Sequence, residues 1–389
     1  MKILPEGLSG VNGFSYLGKN IGIKKEKSDF AVLFSENICN AAGVFTQNQI
    51  KGAPVYVTME HLENHQAQAI VVNSGIANVA TCEEGLRNAQ NTAKLMAAEL
   101  AIRENDVLVA STGVIGPQLP FEKIRRGIKG SRGELTKTGK FAEAIMTTDT
   151  FKKEFCVEHQ NFRIAAATKG AGMVSPNMAT MLAFIVTDAD IAGKDLTSML
   201  KKSVSRSFNM MTVDMDTSTS DMALILANGA AKDVDKTGFQ QALDFVCVEL
   251  AKLIARDGEG ATKLIITEAL NVKSQTDANK IAKAIVSSNL VKCAVYGNDP
   301  NWGRLIMAIG NSGAETIIEE RLKIWINGHS IVLGGKADAS YDEKNLSEVL
   351  RRSQEVTITV DVGTGGFSAR AYGCDMSQEY VKINAEYAT

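Results

Sequence analysis

The sequence predicts an α/β protein in two domains, and three features of the chain predict it. Segments of helical and strand period alternate from one end to the other, as in sheets covered by helices. Two strand segments, TMLAFIVTD (180–188) and MALILANG (222–229), carry enough apolar residues to be buried on both faces. After about residue 275 the texture shifts toward short strands in antiparallel order. The expected division is a larger domain over 1–274 and a smaller α/β domain over 275–389, since 389 residues exceed what one simple core usually serves.

Each element has its own signal. Thr81 and Glu84 have capping-box spacing ahead of EGLRNAQNTAKLMAAELAI, where Leu86, Ala89, Ala93, Met96, Ala97 and Leu100 recur at helical spacing. VLVAST (107–112) reads as a strand running into Gly113, and RIAAAT (163–168) as another. LTSMLKKSVSRSF places Leu196, Leu200, Val204 and Phe208 on one helix face. Thr237 and Gln240 open the helix FQQALDFVCVELAKLIA, which stops at Asp257-Gly258. Beyond 275, KIAKAIVSSN predicts a short helix, VKCAVYG a strand and NDPNWGR a polar turn. RLKIWI and SIVLGG flank Asn327-Gly328, a hairpin signal, and VTITVDV and SARAYGC supply further strands.

Composition removes several function classes. Lys plus Arg number 42 and Asp plus Glu 44, a net charge of −2, so no basic field awaits nucleic acid or anionic lipid. No apolar run approaches a membrane span. The opening MKILPEGLSG meets Pro5 and Glu6 too early for a signal peptide, so the expected compartment is the cytoplasm. The six cysteines (Cys39, Cys82, Cys156, Cys247, Cys293, Cys374) form no CxxC pair and read as buried small hydrophobes. His61 and His65 stand four apart, but the order is not HExxH; the expectation is a solvated helix face and no metal. With four histidines in all, a His-dependent triad has few candidates.

The segment from Lys169 to Ile191, KGAGMVSPNMATMLAFIVTDADI, carries the chemistry. Gly170 and Gly172 loosen the backbone, Pro176 and Asn177 make a turn, and Thr180 then opens a hydrophobic strand. Attack of the Thr180 hydroxyl on the Ala179 carbonyl would turn that amide into an ester, and hydrolysis would free the Thr180 amine. An N-terminal threonine carries its own base in that amine. The same residues also read as a loop followed by a strand that opens with threonine. Spacing alone leaves both readings open.

Nine blocks in order along nearly the whole chain resemble the ornithine acetyltransferase family. They are AAGVFTQNQIKGAPV (41–55), VVNSGIANVATCEEG (71–85), ASTGVIG (110–116), MTTDT (146–150) and the KGAGM…P…ATML segment. FNMMTVDMDTSTSD (208–221), ARDGEGATK (255–263), YGNDPNWGR (296–304) and YVKINAEYAT (380–389) continue the series. The resemblance implies cleavage between Ala179 and Thr180, with Thr180 as nucleophile and first residue of a β chain. It puts Thr112 and Gly113 on the oxyanion-hole pair, a hydroxyl and an N–H at a strand end. Thr147, Lys169, Thr180, Glu259, Asn384 and Thr389 match its substrate-contacting positions. Lys169 and Glu259 suit the carboxylate and the amine of an amino-acid substrate. Ile76, Met215 and Ser220 depart from it, where Asn, Gly and Asn are usual.

The fold implied is an N-terminal-nucleophile-like α/β sandwich with a smaller α/β C-terminal domain. The reaction implied moves acetyl from N2-acetyl-L-ornithine to L-glutamate in arginine biosynthesis, with acetyl-CoA as a further possible donor and no cofactor. The expected assembly is two α and two β chains. Two rivals remain: an amidase or aminopeptidase of related self-processing fold, and an unprocessed binding protein.

Overall fold

The computed structural model describes residues 1–175 and 181–386, so the expectations resting on Pro176, Asn177, Ala179, Thr180 and Thr389 lie outside the described residues. The larger sheet contains β1 (Lys2–Leu4), β2 (Phe14–Lys19), β3 (Phe30–Phe45), β4 (Gln66–Ile76) and β5 (Val107–Val114). It also contains β6 (Lys153–His159), β7 (Phe162–Lys169), β8 (Leu182–Ala189) and β9 (Met222–Ala231). The order is β1-β6-β7-β8-β9-β3-β4-β5, with β2 also paired to β3.

β3 decides the architecture. Its residues 30–34 and 39–40 pair with β4 and its residues 40–45 with β9; the β4 ladder breaks register between Phe34 and Cys39. One strand thus belongs to both halves of a folded-over sheet. Strand alternation then sorts the side chains into layers. Leu33, Ile70 and Leu108 from one half share a core with Phe184 and Leu224 from the other. Val32, Val71 and Val109 point outward against α1 (Ala53–His61), α2 (Cys82–Leu100) and α3 (Phe121–Ile128). The short α4 (Ser131–Glu134) and α5 (Phe141–Ala144) follow, and Phe141 enters the central core. On the other outer face, Ala183, Ile185 and Ile225 meet α6 (Gly193–Arg206) and α7 (Lys236–Arg256). The product is a helix–sheet–sheet–helix sandwich, the α/β sandwich that the resemblance implies.

The second sheet has the order β13-β12-β11-β14-β10-β15. It comprises β10 (Leu264–Val272), β11 (Lys323–Ile326), β12 (His329–Leu333), β13 (Lys336–Ala337), β14 (Glu355–Asp361) and β15 (Phe367–Cys374). β10 runs parallel to β14, and the other pairings are antiparallel. This sheet takes β10 from ahead of residue 275, where the sequence changes texture. Its core also holds Ile281, Val291, Leu305 and Leu346 from α8 (Gln275–Ser287), α9 (Asn289–Tyr296), α10 (Trp302–Gly310) and α11 (Glu343–Arg352). α12 (Gln378–Glu386) closes the described chain. Asn327 and Gly328 have φ of 47° and 80°, the conformation a two-residue hairpin demands.

Several local expectations are corrected. Thr81 stands at the N-cap of α2, but its hydroxyl accepts from no helix N–H and donates to Asn78 Oδ1 at 2.9 Å, so no capping box forms. VKCAVYG is helix α9, not a strand, because Val291, Ala294 and Val295 share a helical face and Ser288 caps Val291 N–H. NDPNWGR leads into α10, which Asn301 caps by accepting from Arg304 N–H. Cys82 and Cys293 are exposed, and only the other four cysteines are buried. His61 is buried with Nδ1 2.7 Å from the Val107 carbonyl, and His65 has φ 57° beyond the helix end, so they share no solvated face.

Candidate active site

A cavity of about 420 Å³ opens where β5 and β7 end and β8 and β9 begin. Thr112, Gly113, Thr147, Lys169, Glu259 and Asn384 all line it. The sequence spreads these six over more than 270 positions, and the fold brings them together. Met181, which follows Thr180 in the chain, also lines it.

The Thr112-Gly113 pair is built by close backbone approach. β4 and β5 run parallel, with Thr112 opposite Ser74 and Gly113 opposite Gly75. Gly75 and Gly113 have φ of 113° and 123°. A Cβ on Gly113 would lie 2.3 Å from the Gly75 carbonyl carbon, so no side chain fits there. Lys169 Nζ donates to Thr112 Oγ1 at 3.3 Å. That bond occupies a lone pair of the hydroxyl and leaves its hydrogen to be given to something in the cavity.

Beneath the cavity lies a buried ion network. Lys153, fully buried, meets Asp149 at 2.6 Å and Asp257 at 2.5 Å. Asp149 also accepts from the N–H groups of Thr147 (2.9 Å) and Gly170 (2.7 Å). Asp257 accepts from Thr150 N–H. One ammonium therefore ties together the loops that carry Thr147, Lys169 and Glu259. Burial alone would raise the Asp149 carboxyl, but Lys169 and Lys153 outweigh it and hold it at about 2. Burial pulls the Lys169 ammonium below the ordinary lysine range, and Asp149 opposes that pull. Behind Lys169, Lys24 donates to Ser74 Oγ at 2.6 Å. Burial draws Lys24 down to about 8, with Lys169 adding to the shift against the pull of Asp29.

The opposite wall comes from the C-terminal helix. Glu259 accepts from Asn384 Nδ2 at 2.9 Å, and its own N–H donates to the Ala171 carbonyl at 2.8 Å. A Cβ on Gly172 would stand 2.4 Å from the Glu259 carboxyl carbon, so that glycine makes room for the acid. Asp214 accepts from the N–H groups of Met173 (2.6 Å) and Val174 (2.8 Å), fixing the loop that leads toward residue 176. Met215 takes φ 70° and is 48% exposed, which explains why glycine is usual at this position in the resembling family. Ile76 is half-buried at the end of β4, and Ser220 is a buried cavity-lining residue.

Asp149, Asp214, Asp221, Lys24 and Tyr380 are site residues that sequence reasoning missed. Three of them are acids inside the motif blocks MTTDT and DMDTSTSD and Tyr380 opens YVKINAEYAT; membership of a block was the only available signal, and Lys24 lacks even that. The assembled cavity offers a cation and an acid for the two ends of an amino acid, beside two donors suited to an oxyanion. No histidine is among its described lining residues, and these form no cluster of three or more potential metal ligands.

Comparison with known proteins then gives a consistent result. The ArgJ family matches residues 15–389. The arginine biosynthesis bifunctional protein ArgJ of Caldanaerobacter subterraneus subsp. tengcongensis is 44% identical over 405 residues, covering all of both chains. Its namesake in Dehalococcoides mccartyi is 45% identical, over 100% of this chain and 98% of its own. Among solved structures, the arginine biosynthesis bifunctional protein of Bacillus halodurans matches 54% of this chain and 100% of its own, at 41% identity and a TM-score of 0.52. The ornithine-bound ornithine acetyltransferase of Mycobacterium tuberculosis matches 46% of this chain and 98% of its own, at 35% identity and a TM-score of 0.44.

Proposed function

The chain belongs to the ArgJ family of arginine-biosynthesis acyltransferases, and from that premise we propose that it carries acetyl from N2-acetyl-L-ornithine to L-glutamate through an ester on Thr180. The observation that carries this reading is the single cavity that unites Thr112 and Gly113 with Lys169 and with the Glu259–Asn384 pair. Lys169 suits the substrate carboxylate, and Glu259 suits its ammonium. The Thr180 hydroxyl attacks the acetyl carbonyl while its α-amine takes the proton. The Thr112 hydroxyl and Gly113 N–H stabilise the oxyanion. The C–N bond then breaks and ornithine departs. Glutamate's amine attacks the acetyl ester, the C–O bond breaks, and the hydroxyl is restored.

The free α-amine requires cleavage between Ala179 and Thr180. A share of 54% of 389 residues is about 210 residues, the length from Thr180 to Thr389, and a stretch of that size spans the whole solved Bacillus halodurans chain. That agreement supports the cleavage. The relatives' shared word "bifunctional" supports a second activity, and we take acetyl-CoA as the second donor. The mature protein is read as two α and two β chains, and its compartment as the cytoplasm, as expected from the sequence. No helix among the described residues is long and apolar enough to cross a membrane.

One assay tests this reading: glutamate is supplied with acetylornithine or with acetyl-CoA, and N-acetylglutamate and free acetate are measured. Acetylornithine should yield N-acetylglutamate and ornithine in equal amounts. Acetate without N-acetylglutamate would mean that water is the acceptor and the protein is an amidase of related fold.

A further inference from the structure

Asp221 has no part in that scheme. It immediately precedes β9, lines the cavity and is only 3% exposed. Its Oδ2 meets no hydrogen-bond partner among the described residues. The Ser218 hydroxyl and the Met181 N–H lie against the carboxyl, and Lys169 is the cation acting on it. The other charges lining the cavity are Glu259, Asp214 and Asp216, while Lys24 and Asp149 act on Lys169. A carboxylate with a bare, dehydrated oxygen is unstable relative to the neutral acid. Burial accordingly pushes Asp221 well above the usual carboxylate range, despite Ser218 and Lys169.

Transfer from one amine to another leaves a proton to be accounted for. The Thr180 hydroxyl proton, passed through the α-amine, makes ornithine leave as a neutral amine, one proton short of its ammonium form. Glutamate arrives as an ammonium and must lose one proton before its nitrogen can attack. The two half-reactions each move one proton, in opposite directions. We propose that Asp221 stores that proton: its carboxylic acid protonates the departing ornithine amine, and its carboxylate then deprotonates the arriving glutamate ammonium. After both steps the O–H bond of Asp221 is restored and no proton has been exchanged with solvent. This role rests on the acetyl-threonine reading above.

Asp221→Asn keeps the shape and removes the proton. In cleaved Asp221→Asn, ornithine is left as the neutral amine and re-attacks the acetyl ester before it escapes, so net acetylation by acetylornithine should slow by about 10²-fold or more, the usual scale of a lost general acid. Acetylation by p-nitrophenyl acetate, whose leaving group needs no proton, should slow far less. Transfer to glutamate should recover as pH rises and the free amine form becomes abundant. Equal slowing with both donors would overturn the role alone. A wild-type enzyme that takes acetyl from neither donor would overturn the acetyl-threonine reading and this role with it. Should Asp221→Asn stay one chain, Asp221→Glu carries the same comparison: its displaced carboxyl should slow acetylornithine selectively, and equal slowing again overturns the role.

Discussion

Asn384 Nδ2 donates to the Glu259 carboxylate at 2.9 Å, joining residues 125 positions apart. The contact is held from below, since Ser377 Oγ donates to the Gly260 carbonyl at 2.6 Å. A Cβ on Gly260 would lie 2.5 Å from Tyr380 N, so α12 packs directly on the Glu259 loop. A hydrogen bond to a charged group is worth about 1.5–3 kcal/mol. Asn384→Ala should therefore raise KM for acetylornithine by roughly tenfold or more, with kcat little changed. Steady-state kinetics checks it, and a fall in kcat alone would place Asn384 elsewhere in the reaction.

The Thr180 reading has a direct physical consequence. Cleavage after Ala179 gives pieces of 179 and 389 − 179 = 210 residues, which should co-purify. Thr180→Ala should remain one chain without activity. Intact-mass measurement of both proteins decides it, and a full-length wild type with good activity would end the N-terminal-nucleophile mechanism.

Thr112 lines the cavity with a hydroxyl hydrogen free to donate, and a lost oxyanion donor costs on the order of 10²–10³ in turnover. Thr112→Ala should lower kcat on that scale and change KM little. The comparison uses cleaved protein, because self-cleavage passes through a similar tetrahedral centre. A pure KM effect would move Thr112 from the oxyanion to the ground-state substrate.

An α-amine has an ordinary pKa of about 7.7–8.0 and must be neutral to act as base. A nearby lysine ammonium disfavours the protonated amine and so lowers its pKa. Removing that cation raises it. Lys169→Met should therefore shift the acidic limb of kcat/KM to higher pH, beyond any loss of substrate affinity. A pH–rate profile that keeps its limb in place removes Lys169 from this role.

Lys153 pairs with two buried acids, Asp149 and Asp257. Lys153→Met leaves both without it and should cost about 3–5 kcal/mol of stability. The folded-state carboxyl of Asp149 sits at about 2, below its ordinary value, so its contribution is present above that ordinary value. It is lost as pH falls through about 2. The variant should depend less on acid over that window, in part only, because Lys169 still acts on Asp149. Urea midpoints at neutral and acid pH measure both effects.

Much of the site was legible because its residues sit in motif blocks whose chemistry suits amino-acid acyl transfer. The network beneath it was not. Lys152 and Lys153 are sequence neighbours, yet the Lys152 side chain is largely exposed and that of Lys153 wholly buried. Strand phase decides between them, and local composition does not encode it. Asp221 ends the block FNMMTVDMDTSTSD, but nothing in that polar run says which of its acids the fold buries. The helix α9 was missed because a short apolar run fits either period. The register break between Phe34 and Cys39, and the handover of β3 from β4 to β9 at Asn40, have no signature in residue type.

The pairing of β7 with β8, and of β3 with β9, has a thermodynamic consequence. Once the bond between residues 179 and 180 opens, each of those ladders joins two separate molecules. Unfolding of the mature protein then releases two chains, and its midpoint should rise with protein concentration, whereas that of the uncleaved precursor should not. Refolding becomes a second-order search between two fragments, neither of which holds the complete nine-stranded sheet. An uncleaved precursor refolds as one molecule, whereas the cleaved form should persist only through the slowness with which those strands part.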